Sequence, residues 1–124
     1  MKFAFDLDET ITPAPEVMAT IISALKAAGH EIHIITYRHP VYHHECTVDE
    51  LALYGIQYDE LHMTGQKDQE CDIWDIDVAI DDSADFHYPD RFKFWVGIVL
   101  PRKKLKTPSS GLNFDKTGKI EEIK

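Results

Sequence analysis

Phe3-Ala4-Phe5-Asp6-Leu7-Asp8-Glu9-Thr10-Ile11-Thr12 runs an apolar segment straight into two carboxylates two positions apart. Residues i and i+2 lie on the same side of an extended chain, so where a strand gives way to a loop both carboxylates are able to turn toward one hard cation. Mg²⁺ prefers oxygen ligands of that kind. In such a pair, one carboxylate suits nucleophilic attack on phosphorus, while its neighbour trades a proton with the leaving group and then with water. An acidic turn closing a strand is the alternative that the Asp-x-Asp spacing alone leaves open.

Outward from this segment the pattern alternates between strand and helix. Lys2 to Asp6 reads as a buried strand, and Pro15 to Ala28 reads as a helix with Val17, Ile21, Leu25 and Ala28 on one face, started by Pro15 and stopped by Gly29. Glu31 to Thr36 is a second strand, Thr47 to Tyr54 a second helix ended by Gly55, and Tyr58 to Met63 a short third strand. The polar stretch Thr64 to Asp77 reads as loop with at most one helical turn. Val78 to Asp81 is a fourth strand, Ser83 to Arg91 a turn or short helix, and Phe94 to Leu100 a fifth strand. This βαβαβ order demands a parallel sheet with right-handed crossovers. Residues 1–100 form the core, and residues 101–124 form a C-terminal segment of turns or a hairpin, with Thr107-Pro108-Ser109-Ser110-Gly111 as turn chemistry.

Ligands of an open parallel sheet bind outside the carboxyl ends of its strands. Each strand here delivers polar residues to that end: Asp6 and Asp8 from the first, Thr36 and Arg38 from the second, Asp81 and Asp82 from the fourth. Thr36 taken alone reads as a cap of the next helix. Arg38 offers a fork suited to a phosphate or carboxylate of a substrate, with surface pairing as the equal alternative.

The 124 residues carry 22 Asp and Glu and a net charge of −9. One domain of this size buries roughly two-thirds of its unfolded surface. The overall field repels phosphate backbones and anionic lipid, which disfavours nucleic acid and membranes as partners. The basic run Arg102-Lys103-Lys104-Leu105-Lys106 reverses this only locally and reads as a solvated charge run. Cys46 and Cys71 make no disulfide framework, which fits a reducing cytoplasm. No apolar run approaches the roughly 20 residues of a membrane span.

The string apolar strand, Asp6-x-Asp8-x-Thr10 resembles motif I of the haloacid dehalogenase (HAD) superfamily of phosphohydrolases. Thr36 after Ile-His-Ile-Ile looks like motif II, whose hydroxyl holds a phosphoryl oxygen. Val78-Ala79-Ile80-Asp81-Asp82 looks like motif IV, which implies that Asp82 ligates Mg²⁺ with Asp81 in support, or the two with roles exchanged; Asp85 is a reserve candidate. The family places a lysine or arginine between the third and fourth strands, and Lys67 is the only Lys or Arg between Arg38 and Arg91. The resemblance implies a Rossmann-like (HAD-like) three-layer α/β sandwich with a central parallel sheet. It also implies a nucleophile at Asp6, an acid–base at Asp8 whose backbone carbonyl touches the metal, and a phosphoryl clamp of Thr36 and Lys67.

Two other patterns compete for attention. His39, His43, His44 and Cys46 fall within eight residues, but zinc sites show paired ligands at helical or knuckle spacing with a matching second pair, so a polar loop and helix start is the reading. Asp115-Lys116-Thr117-Gly118-Lys119 is similar to the phosphorylated motif of cation-pumping ATPases. That motif must open an α/β unit, whereas a hairpin turn suits this position.

Only six residues separate Asp8 from Pro15, and a single helix and strand fill the interval between motifs II and III. That leaves no room for a cap domain. The site is therefore expected to be open, either accepting a large substrate end or closed by a neighbouring subunit of a homo-oligomer. The expected activity is Mg²⁺-dependent hydrolysis of a small-molecule phosphate monoester, a sugar phosphate or a nucleotide. A catalytically weak metal-binding or interaction protein that kept the fold is the alternative. A dehalogenase is a third class, which would not need Asp8 or the metal pair.

Overall fold

The computed structural model describes residues 1–88 and the strands Asn113–Phe114 and Ile120–Glu121. The elements are β1 (Lys2–Phe5), α1 (Pro15–Ala27), β2 (Glu31–Thr36), α2 (His44–Tyr54), β3 (Glu60–Met63), α3 (Lys67–Trp74), β4 (Val78–Ile80), α4 (Ala84–His87), β5 (Asn113–Phe114) and β6 (Ile120–Glu121). The first four strands form an all-parallel sheet in the order β3-β2-β1-β4. The protein is thus α/β, compatible with a Rossmann-like fold.

Alternation along the strands sends apolar side chains to both faces, as a sheet buried on both sides requires. Phe5, Ile32, Ile34 and Ile80 join Met18 and Ile22 of α1 and Leu51 of α2 in one core. Ala4, Ile35 and Ala79 join Cys71 of α3, Ala84 of α4, Ile76 and Tyr88 in a second. The sheet separates them.

Helix ends follow the backbone chemistry. Pro15 stands in the first turn of α1, where its missing N–H costs nothing. Beyond Ala28, Gly29 takes φ +94° while the Gly29 and His30 amides donate to the carbonyls of Lys26 and Leu25. Gly55 (φ +74°) ends α2 in the same way, with Ile56 N–H donating to Leu51.

Three expectations need correction. The buried face of α1 is Met18 and Ile22, with Leu25 partly buried, whereas Val17 and Ile21 are exposed. Both stripes share Leu25, so a rotation of about 100° per residue separates the two readings, and packing on β1 and β2 selects between them. The helix α2 starts at His44 rather than Thr47. The stretch Thr64 to Asp77 contains an eight-residue helix, α3. Its C-terminal turn has the same hydrogen bonds as those after α1 and α2, but the left-handed position is filled by Asp75 (φ +54°) instead of glycine.

β5 and β6 pair antiparallel, Asn113 with Glu121 and Phe114 with Ile120. The expected strand Phe94 to Leu100, the basic run Arg102 to Lys106, the turn Thr107 to Gly111, and Asp115 to Lys119 itself lie outside the described residues. Among the described residues no helix is long and apolar enough to cross a membrane.

Candidate active site

β1 lies between β2 and β4, with Phe5 in register with Ile34 on one side and Ile80 on the other. The next residues of the flanking strands therefore arrive at one edge together. Asp6 N–H still donates to the Ile80 carbonyl at 3.0 Å, which ties the first carboxylate to the sheet. After it the chain turns tightly, with the amides of Thr10, Ile11 and Thr12 all directed at the Leu7 carbonyl. Leu7 and Ile11 are fully buried in the first core and anchor this loop. This edge, where β2 and β4 diverge from β1, is the crevice in which open α/β sheets hold ligands.

Lys67, the first residue of α3, is 3 % exposed and reaches into the crevice. Its Nζ donates to Asp6 Oδ1 at 2.9 Å and to Asp81 Oδ2 at 2.8 Å. Burial alone would lower the ammonium's pKa, and the two carboxylates outweigh it, so the group lies above its ordinary value and stays charged. Burial pushes the Asp6 carboxyl up to about 7, against the pull of Lys67 and with the like charge of Asp81 adding to the rise.

Oxygens of Asp6, Asp81 and Asp82 all lie within 4.8 Å of one another. Three carboxylates against one ammonium leave negative charge in surplus, and an oxygen-only donor set with that surplus fits a hard divalent cation. Both oxygens of Asp81 are already engaged, Oδ2 by Lys67 and Oδ1 by the Ser83 amide. Asp82 is exposed and accepts from the Thr10 hydroxyl at 3.3 Å, and its own N–H donates back to that hydroxyl at 3.0 Å. Thr10 thereby fastens the loop after β1 to the end of β4. Asp85 is exposed on α4 and stands outside the cluster.

Thr36 closes β2 fully buried, and its Oγ1 has no hydrogen-bond partner among the described residues. A buried hydroxyl left unpaired costs about 1–3 kcal/mol. The carboxylate of Asp8 is placed differently from that of Asp6. It is exposed and held by Arg38, whose Nε and Nη2 donate to its two oxygens at 3.1 and 2.8 Å. Arg38 Nη1 donates to Glu50 at 2.7 Å and Thr47 at 3.1 Å, and Tyr54 donates to the other Glu50 oxygen at 2.6 Å. Arg38 holds Glu50 below the usual carboxylate range. Asp6 and Asp8 thus do not turn together to one point, because the Arg38 fork claims the second carboxylate.

Among the described residues the His39–Cys46 segment assembles no ligand group. His39 Nδ1 accepts from the Val41 and Tyr42 amides, and Cys46 Sγ contacts the His43 carbonyl. A different histidine pair is buried. His33 Nδ1 and His62 Nε2 are 2.9 Å apart, with Glu31 2.6 Å from His33 Nε2, Glu70 3.4 Å from His62 Nδ1, and Trp74 against both rings. The only sequence signal for this pair is a histidine inside each of two apolar strands.

Comparison with known proteins finds no matching family model, no matching curated protein and no matching solved structure.

Proposed function

We propose that this protein is a Mg²⁺-dependent phosphohydrolase of the HAD superfamily without a cap domain, acting on a phosphate monoester through an aspartyl-phosphate. The observation that carries the reading is Lys67 Nζ, buried and hydrogen-bonded to Asp6 and Asp81 at once. A lysine so placed neutralises a nucleophilic carboxylate and a transferring phosphoryl group together. The unpartnered Thr36 hydroxyl supplies a second contact for a phosphoryl oxygen.

In this mechanism Asp6 attacks phosphorus and the ester oxygen leaves as an alcohol that takes a proton from Asp8. Asp8 then removes a proton from water, whose oxygen attacks the aspartyl-phosphate and releases phosphate with Asp6 restored. Held by Asp6 and Asp82, with Asp81 behind them, Mg²⁺ would add positive charge against the phosphoryl oxygens. Arg38 holds both Asp8 oxygens as acceptors, so Asp8 carries a proton to the leaving group only when one of these two hydrogen bonds opens. Arg38 binds substrate only by exchanging that partner.

One observation favours the second reading, a catalytically weak metal-binding or interaction protein: the Asp8 carboxylate is tied to Arg38, away from the carboxylate cluster. Hydrolysis of an aryl phosphate, measured with Mg²⁺ and after EDTA, separates the two. The phosphohydrolase reading expects turnover that needs Mg²⁺ and falls at least about a hundredfold in Asp6→Asn. Metal binding without turnover would favour the second reading.

A further inference from the structure

Beside the carboxylate cluster lies a hollow of about 290 Å³, whose lining includes Tyr37, Gln66, Lys67, Gln69, Phe86 and His87. Lys67 belongs to both places. The stem that carries its Nζ to Asp6 forms part of this wall, and Nζ stands 5.5 Å from the Tyr37 ring centroid. A ligand phosphate held at Lys67 therefore has its remaining atoms beside or inside the hollow.

The wall has a definite chemistry. Tyr37, directly after the buried Thr36, is 53 % exposed, and Phe86 on α4 is 73 % exposed. Two aromatic rings thus stand exposed at one concavity. The His87 ring meets each of them edge-on, 4.9 Å from Tyr37 at 80° and 5.1 Å from Phe86 at 78°. Gln66 and Gln69 add amides that both donate and accept. Ligand pockets start near roughly 300 Å³, so this volume suits one compact group rather than a polymer.

We propose that the hollow receives a planar heteroaromatic ring on the alcohol side of the phosphate ester, which makes the substrate class nucleoside monophosphates rather than simple sugar phosphates. The inference rests on the phosphohydrolase reading and names its substrate. Ring faces pack on Tyr37 and Phe86, while the ring's edge atoms meet the glutamine amides. In the reaction the bond between phosphorus and the ester oxygen breaks, water supplies the new phosphate oxygen, and the nucleoside leaves as an alcohol.

Ribose 5-phosphate and the nucleoside 5′-monophosphates differ only in the base, so comparing their kcat/KM values on the intact protein tests the ring alone. The expected result is an advantage of at least tenfold for a base-bearing ester, reduced to under threefold in Phe86→Ala. Phe86 is exposed, so its truncation spares the core. Equal kcat/KM values, with hydrolysis still dependent on Mg²⁺, would overturn this inference and leave the phosphohydrolase standing. Hydrolysis of neither compound overturns this inference; the phosphohydrolase reading stands if the aryl phosphate is still turned over with Mg²⁺, and falls if that ester too is left intact.

Discussion

Arg38 closes on Asp8 with two hydrogen bonds, Nε to Oδ2 at 3.1 Å and Nη2 to Oδ1 at 2.8 Å. A fork of this kind fixes both the position and the orientation of a carboxylate. The remaining guanidinium nitrogen is held by Glu50 and Thr47, so the clamp is itself braced by α2.

On the proposed mechanism, Arg38→Ala lowers kcat about tenfold to a hundredfold on an unactivated ester, because a loosely held Asp8 loses part of a general acid's usual 10²–10⁴-fold contribution. An aryl phosphate with a good leaving group needs less acid and should suffer less. Steady-state kinetics on the two ester types check this. A rise in KM with kcat unchanged would mean instead that Arg38 holds the substrate directly.

Lys67→Met removes the only cation hydrogen-bonded to the buried Asp6 and Asp81 among the described residues. Breaking a buried pair by deleting one partner costs about 3–5 kcal/mol. Denaturant unfolding should show a loss of that order without added metal. Millimolar Mg²⁺ should recover part of it, since binding to the folded state alone stabilises that state. A variant as stable as the parent would remove Lys67 from the centre of the site.

His62 is held below the ordinary histidine range by burial, with His33 adding to the effect and Glu70 opposing it. The unfolded chain then takes up a proton near pH 6.5 that the folded chain does not, so His62 lowers stability as pH falls below about 6.5, by at most about 1.36 kcal/mol per pH unit until the folded form also protonates. Comparison of the parent with His62→Gln between pH 7.5 and 5 should show the parent losing ground on the acid side. Parallel stability curves would contradict this.

Asp59 staples α1 to the sheet. One oxygen accepts the Ile32 amide at 2.7 Å, the other takes Lys26 Nζ at 2.5 Å, and the Asp59 amide donates to the Ile32 carbonyl at 2.8 Å. The backbone bond, with Lys26 second, holds its carboxyl below the usual range, so this stability is present above the unfolded pKa and is lost as pH falls through the folded one. Asp59→Ala should cost about 1–2 kcal/mol. Lys26→Ala should cost less than about 1 kcal/mol, because that half of the contact is partly exposed and screened. Equal costs would mean that the ion pair, not the amide, dominates.

The strands β1, β2 and β4 and the residues at their ends were legible because each is an apolar run broken by polar residues, and Gly29 and Gly55 mark helix ends that need a left-handed residue. The helix α3 was not. Its sequence Lys-Asp-Gln-Glu-Cys-Asp-Ile-Trp has only Lys67 and Cys71 buried, so no apolar stripe announces it, and Asp75 stands where a glycine would have signalled its end. The buried face of α1 escaped for a different reason, since stripes one residue apart look equally apolar until a sheet is laid against one of them.

Which side chains meet is a matter of register, and register belongs to the fold. Local chemistry on the chain determined that carboxylates, a threonine and an arginine would gather at one end of a parallel sheet. Only the tertiary structure decided that Lys67 bridges Asp6 and Asp81, that Arg38 faces Asp8, and that His33 lies against His62. These contacts join positions far apart in sequence, and their energies depend on burial that no short segment possesses by itself.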